Sequence, residues 1–396
     1  MPEARSRPAW AEVDLDAVRH NTAALGAVAA PAALCAVVKA EGYGHGAVPV
    51  ARAALDAGAT WLAVAVVEEG EALRREGIRA PILLLAEPPP EAMADALAQH
   101  LTLTLYSVEG AHAAARVAAD GQSPTPVHLK VDTGMHRVGA PPDTLVDVAR
   151  AVEESGGLRV EGLWTHLAVA EDPAEDGYTT EQLRCFEEAR DRLALAGIHP
   201  DLLHAANSAG AIAHPAARYD MVRCGISVYG YCPGVALDGR VELRPAMSLK
   251  ARVSFVKELD AGERVSYGLR YALPETGDLA TVPLGYDDGV RRRLAAEGAE
   301  VLVNGRRCPM AGTVTMDQFL VDCGPSSGVK TGDEVVLIGR QGDEQITADH
   351  WAELLGTISY EIVCGVGPRV PRVYVNGEGD AVDADGRTQQ RSLRET

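Results

Sequence analysis

A lysine at residue 39 closes an apolar run and opens a glycine-rich turn, AVVKAEGYGHG over residues 36–46. A strand end is a rigid mount, and a lysine held there in a partly apolar site loses its proton readily enough to serve as an imine-forming amine or a base. Glycines at 42, 44 and 46 permit tight turns or close approach of backbone to a ligand. Most strand-terminal lysines simply reach solvent, so this segment alone leaves both readings open. Arg137, His166, Asn207, Ser208 and Arg223 are further residues able to move a proton or hold an anion. Taken singly they read as a surface ion pair, a core histidine or a helix cap.

The elements that would position them are short apolar runs alternating with amphipathic helical patterns, the mark of repeated βα units. Candidate strands lie near 33–38, 61–66, 81–85, 101–105, 127–131, 159–164, 201–205 and 219–222. Helical patterns lie at Val48–Ala57, Val67–Glu76, Pro90–Gln99, Val108–Ala119, Pro142–Glu154 and Thr180–Ala196. Strands and helices in this alternation suggest a (β/α)8 TIM barrel over residues 10–240, with an open doubly wound sheet as the alternative. A barrel gathers its chemistry where strands end and βα loops begin. On these boundaries Lys39 follows the first strand, Arg137 the fifth, His166 the sixth, Asn207 and Ser208 the seventh, and Arg223 the eighth, all on one face.

After YGYCPG at 229–234 the pattern becomes alternating and β-branched, with turns rich in Gly, Asp and Pro and one clear helix near 347–356. Residues 245–376 therefore read as a mostly-β domain, and residues 377–396 as a polar, loosely ordered tail.

Composition narrows the function. With 396 residues, 47% of them hydrophobic, the chain can bury a large core and divide into two domains. A net charge of -19 argues against nucleic acid or an anionic membrane as a partner. The 7 cysteines are widely spaced and form no CxxC pair, which disfavours disulfides and a metal site and suits a reducing cytoplasm. No signal-peptide pattern or bilayer-length apolar stretch is read in the sequence.

From about residue 10 to 375 the chain resembles the alanine racemase family, fold-type III enzymes that use pyridoxal 5'-phosphate (PLP). The resemblance rests on AVVKAEGYGHG (36–46), KVDTGMHRVG (130–139), THLAVAED (165–172), HAANSAGA (204–211), RCGISVYG (223–230), VSYG (265–268), LGYDDG (284–289), TVTMDQ (313–318) and SYEIVCGVGPRVPRVY (359–374). It implies that Lys39 carries PLP as an imine. It also implies that Tyr43, Ser208, the backbone at Gly225 and Ile226, and Tyr360 hold the phosphate, and that Arg223 faces the pyridine nitrogen. Arginine stays charged, so it donates a hydrogen bond there without surrendering a proton; an acidic residue would imply different chemistry.

Racemisation needs acid/base groups on opposite faces of the cofactor, and the resemblance assigns them to Lys39 and Tyr267. A tyrosine with its ordinary pKa of about 10 needs neighbours that favour its phenolate, a task that falls to His166 and Arg223. Arg137 would bind the substrate carboxylate, supported by Lys130, a position often carbamylated in the family. Met316 and Asp317 would reach a partner's barrel mouth with Tyr267, giving a homodimer with shared sites, and Tyr286 with Tyr360 would narrow the entrance. Thr313, Thr315, His136 and Asp287 depart from the commoner family residues. The expected function is interconversion of L- and D-alanine, supplying D-alanine for peptidoglycan. The alternatives are a PLP-dependent decarboxylase, a racemase of broader range, or a non-catalytic PLP-binding barrel protein.

Overall fold

The computed structural model describes residues 7–118, 123–376 and 380–382. They fall into two compact units: one is built on Ala17–Gly42 and Ala47–Pro245, the other on residues up to Asp16, on Tyr43–Gly46 and on those from Ala246 onward. The chain begins with β1 (Ala9–Asp14), followed by α1 (Leu15–Ala29), neither of which the sequence patterns had picked out.

The first unit contains β2 (Ala33–Val37), β3 (Trp61–Val64), β4 (Ile82–Leu84), β5 (Leu103–Leu105), β6 (Thr125–Lys130), β7 (Leu158–Trp164), β8 (Leu202–His204) and β9 (Met221–Cys224). Each overlaps one of the expected barrel strands. They pair in parallel as β4-β3-β2-β9 and β5-β6-β7-β8. A parallel bridge from Leu83 to Thr102 joins the two sets. On the other side Asp220 N donates to Leu203 O and Arg223 N to Ala206 O, both at 3.0 Å, which closes the ring. Strands covered on both faces must be apolar throughout, and ILL of β4 and LTL of β5 are buried at every position. Between the strands run α2 (Ala47–Asp56), α3 (Val67–Arg75), α4 (Met93–Ala98), α5 (Val108–Ala118), α6 (Leu145–Glu153), α7 (Asp176–Leu195) and α8 (Ser208–Ala213).

The second unit is mostly β. It comprises β10 (Met247–Arg252), β11 (Phe255–Leu259), β12 (Arg264–Val265), β13 (Tyr271–Ala272), β14 (Gly277–Val282), β15 (Glu300–Val303), β16 (Arg306–Ala311), β17 (Phe319–Gly324), β18 (Glu334–Gln341), β19 (Glu344–Ile346), β20 (Arg372–Asn376) and β21 (Asp380–Val382). Helix α9 (Ala348–Leu355) is the one expected there, and α10 (Ser359–Cys364) is an addition. The main sheet runs β11-β14-β17-β16-β15-β18-β10-β1-β20-β21, with β19 hydrogen-bonded to β18.

Residues 10–14 thus belong to this sheet and not to the barrel: β1 lies antiparallel to β10 and parallel to β20. Its sequence AWAEVD alternates buried and half-buried positions, the pattern of a strand with one face on a core. Of the segment expected to be a tail, residues 380–382 form β21 against β20. Residues 377–379 and 383–396 lie outside the described residues. Among the described residues no helix is long and apolar enough to cross a membrane.

Candidate active site

Lys39 stands just past the C-terminal end of β2, half-buried, at the head of the turn Lys39–Tyr43. Around it in the barrel unit the strand ends bring several basic side chains together. Lys130 ends β6, Arg223 lies in β9, and His166 and Arg137 occupy the loops after β7 and β6. Burial, reinforced by Arg223, Arg137 and Lys39, pulls the Lys130 amine down to about 7. Burial followed by Arg223, Lys130, Arg137 and Lys39 holds His166 well below the usual imidazole range. These mutual effects make Lys39, Lys130, Arg137, His166 and Arg223 one electrostatic cluster.

Arg223, 3% exposed, is the best anchored of them. Its Nη2 donates to Thr165 O at 2.6 Å and Ala205 O at 3.1 Å and lies 3.4 Å from His166 Nδ1. Its Nη1 donates to His204 O at 3.1 Å and His204 Nδ1 at 2.9 Å. Burial lowers the guanidinium only to about 10, so it stays a cation at neutral pH. Its Nε has no acceptor among the hydrogen bonds of the described residues.

Because arginine can only donate, the tautomers behind it follow. His204 Nδ1 must accept, so its proton is on Nε2, 2.9 Å from His128 Nδ1; His128 must then carry its own proton on Nε2, 3.4 Å from Glu161 Oε2. Trp164 flanks this line, stacked on His204 at 5.7 Å and 10°, with Lys130 Nζ 4.3 Å and Arg223 Cζ 4.5 Å from its ring centre. Neither histidine was among the expected site residues. The available signal was a polar residue inside an apolar run, in VHLK and in DLLHA.

Ser208, Gly225 and Ile226 also meet in the barrel unit. Gly225 N donates to Ser208 Oγ at 2.9 Å, which leaves the serine's own proton to donate. Ile226 opens a 3-10 turn, Ile226–Tyr229, whose first N–H groups have no acceptor within the turn. Asn207 caps α8 by accepting from Gly210 N at 2.9 Å.

The other expected residues lie in the β unit. Tyr43 and Tyr360 come together with ring centres 6.1 Å apart. The chain beside Tyr43 is glycine by necessity: a Cβ on Gly44 would come within 2.4 Å of Val363 O, and one on Gly46 within 2.1 Å of the Tyr374 hydroxyl. Tyr267 is 73% exposed and rests on an unusual turn, with positive φ at Ser266 (62°), Gly268 (76°) and Leu269 (49°).

Two reciprocal bonds hold that turn: Ser266 Oγ donates to Thr313 O at 2.7 Å, and Thr313 Oγ1 donates to Tyr267 O at 2.8 Å. Tyr267, Thr313, Thr315 and Phe319 help line an open cavity of about 420 Å³. Tyr286 and the Met316–Asp317 segment are joined to each other, through Tyr286 N to Thr315 O at 2.9 Å and Asp287 N to Met316 O at 3.2 Å. Asp288, wholly buried, anchors them: it accepts from Gly285 N at 2.8 Å, from Arg7 and from Arg369, while Arg369 also donates to Asp317 Oδ1 at 2.8 Å. Thr313, Asp288 and Arg369 escaped the reading of the sequence as supports, because each acts through a fold-dependent contact.

Comparison with known proteins gives this geometry its family. The alanine racemase N-terminal domain matches residues 13–233 and the alanine racemase C-terminal domain residues 246–374. An alanine racemase of Symbiobacterium thermophilum is 50% identical over 368 residues, covering 93% of this chain and 97% of its own length. A crystal structure of alanine racemase from Bacillus anthracis with bound L-Ala-P is 39% identical with a TM-score of 0.89, over 96% of this chain and 98% of that one. A histidine racemase from Leuconostoc mesenteroides subsp. sake is more distant, at 32% identity and a TM-score of 0.86, over 94% of this chain and 99% of that one. With both domain families matched in order and half the residues shared with a full-length relative, the chain belongs to the alanine racemase family.

Proposed function

We propose that this PLP-dependent racemase interconverts L- and D-alanine as a homodimer, with Lys39 of one subunit and Tyr267 of the partner subunit as its two acid/base groups. The observation that carries the reading is the cluster of basic side chains at the barrel strand ends, centred on an arginine whose Nε is still free to donate.

The residues fit the cofactor. Lys39 would hold it, Arg223 Nε would donate to its ring nitrogen, and the Ser208 hydroxyl, oriented by Gly225 N, would hold its phosphate together with the backbone N–H of Ile226, with Tyr43 and Tyr360 adding hydroxyl donors. When bound, PLP supplies the electron sink that makes the substrate's α-proton removable. Arg223 cannot hand a proton to the ring, which limits that sink and disfavours the decarboxylase alternative.

Arg137 orients the substrate carboxylate. Displaced from the cofactor by the incoming substrate's amine, Lys39 Nζ would be free to take the α-proton from D-alanine, and Tyr267 Oη of the partner subunit would take it from L-alanine; in each direction the other group would return a proton to the opposite face. His166, held neutral, and Arg223 support the phenolate. Met316 and Asp317 line the substrate side, and Tyr286 and Tyr360 restrict the entrance. An amine with a pKa of about 7 is about half neutral, and so nucleophilic, at neutral pH, so Lys130 could add to carbon dioxide, lose a proton and become a carbamate that steadies Arg137. The barrel unit, Ala17–Gly42 with Ala47–Pro245, would hold the cofactor, and the β unit from Ala246 onward would deliver the second proton carrier. The product would feed peptidoglycan synthesis, in a cytoplasm where widely spaced cysteines stay reduced.

Mixing subunits tests the shared site. Lys39→Ala and Tyr267→Phe proteins should each be inactive, yet a dissociated and reassociated mixture should recover about a quarter of wild-type D-alanine formation, because half the dimers are hybrids with one intact site of two. A mixture that stays inactive while hybrids demonstrably form would reject the shared site. Carbon dioxide release would identify a decarboxylase, and PLP binding without turnover a binding protein.

A further inference from the structure

Lys39 lies between two backbone amides tied to the same neighbouring stretch of chain. Val38 N donates to Ala63 O at 2.9 Å, and Ala40 N donates to Glu69 Oε1 at 2.7 Å. The other Glu69 oxygen accepts from Ala65 N at 2.7 Å and Val66 N at 3.3 Å. One half-buried carboxylate therefore joins the turn after β2 to the loop that enters α3.

An ordinary helix cap would need only the second pair. Glu69 is the third residue of α3 and reaches back to amides just before the helix, as capping-box glutamates do. The bond to Ala40 lies outside that role. Only an anion suits all three donors, since a neutral amide offers a single acceptor oxygen.

The turn so held is unfavourable by itself. Ala40, Glu41 and Tyr43 take φ values of 52°, 53° and 51°, and Gly42 takes 59°. Left-handed backbone crowds Cβ against the following carbonyl oxygen, and three of these residues carry a Cβ. Such conformations persist where the surroundings over-determine them, and they cluster at functional sites. Gly42 N also returns to Val38 O at 2.9 Å, so the turn closes directly over Lys39.

We propose that Glu69 is a positioning residue for Lys39: its carboxylate clamps the left-handed turn so that the lysine leaves the strand end in one fixed direction. The proposal rests on the reading of Lys39 as the amine that holds the cofactor and carries a proton.

Glu69→Ala removes the helix cap and the clamp together, so the decisive protein adds Val66→Asp, which gives α3 its own cap at the exposed residue preceding it. The double variant should regain the wild-type melting temperature. Its amide hydrogen exchange at Ala40 and Glu41, measured with and without PLP, should remain about 10-fold or more faster than wild type. Its kcat should remain about 10- to 100-fold lower with KM within about 3-fold, as misplacement of a catalytic group predicts.

Glu69→Ala alone should show the same exchange and kcat changes at a lower melting temperature, and it serves if the double variant does not fold. A double variant whose exchange at Ala40 and kcat both return to wild type would overturn the proposal and leave Glu69 a helix cap. Slow Ala40 exchange in a wild-type protein that neither takes up PLP nor racemises alanine would instead overturn the role of Lys39, since exchange reports the clamp without any turnover.

Discussion

Arg223 and Tyr267 are held in opposite ways. Arg223 is 3% exposed, its guanidinium is committed to three carbonyl oxygens and a histidine, and its state is set wholly by its own barrel. Tyr267 is 73% exposed and, among the hydrogen bonds of the described residues, is held through its backbone by Thr313, while its ring projects from a turn with positive φ on both sides. A buried group arrives with its protonation state already decided. An exposed side chain leaves its surface open to a neighbour, in keeping with the proposal that a second subunit completes the site around Tyr267.

Substitutions can break or sharpen this contrast. The largest effect should come from Tyr267→Phe, which removes the proposed proton carrier from an exposed site: alanine racemisation should fall by about 10²- to 10⁴-fold with an unchanged melting temperature. Activity retained within a few-fold would remove Tyr267 from the mechanism. Arg223→Gln should show the reverse balance. It strands buried carbonyl oxygens and His204, so unfolding free energy should drop by about 3–5 kcal/mol in denaturant titrations, whatever happens to turnover. A variant as stable as wild type would mean that the barrel does not depend on this buried cation.

Acid should act on the buried side alone. Burial keeps His128, His166 and His204 below the ordinary value of 6.5, so the unfolded chain binds more protons once the pH drops under that value. Stability contributed by their neutrality is complete above about pH 6.5 and is lost as the pH falls below it. Urea midpoints should therefore be lower at pH 5.5 than at pH 7.5, and equal midpoints would count against buried neutral histidines. A smaller effect is expected at the exposed side: Thr313→Val removes the hydroxyl that holds Tyr267 O, so kcat should fall by about 5- to 10-fold with little change in melting temperature. An unchanged kcat would show that the Tyr267 turn holds itself. Smallest is His136→Asn. In the His136–Asp132 pair at 3.2 Å the histidine is open to solvent, and activity should stay within about 2-fold; a larger loss would reveal that this pair steers the neighbouring Arg137.

Much of the barrel was readable because strands covered on both faces must be short and apolar, and the segments ILLL, LTLTL and ALCAVV are little else. Placing Lys39, Arg137, His166 and Ser208 after strands needed only that reading and the rule that barrel chemistry gathers there, whereas Arg223, expected after the eighth strand, lies inside β9. What stayed hidden depends on partners far away in sequence. AWAEVD alternates correctly for a strand, but its neighbours are β10 and β20, across the whole barrel segment. Glu69 looks like a local helix cap until Ala40 is seen beside it, and Thr313 looks like a departure from a motif until its hydroxyl reaches Tyr267 O. His128 and His204 meet only because the strands carrying them, β6 and β8, flank β7 in one barrel wall.

The position of β1 bears on how the protein is made. β1 is the first strand of the main sheet to leave the ribosome, yet the neighbours of its Ala11 are Leu249 and Arg372, both of which emerge only after the barrel segment. Throughout translation of the barrel this strand therefore travels with both of its hydrogen-bonding edges unsatisfied, a natural template for pairing with another nascent chain. Glu12, at an outward position and paired with Lys250 Nζ at 2.9 Å in the finished sheet, gives the waiting strand a charge that discourages such pairing. Yield at high expression levels, more than activity or melting temperature, is the property most exposed to changes in these few N-terminal residues.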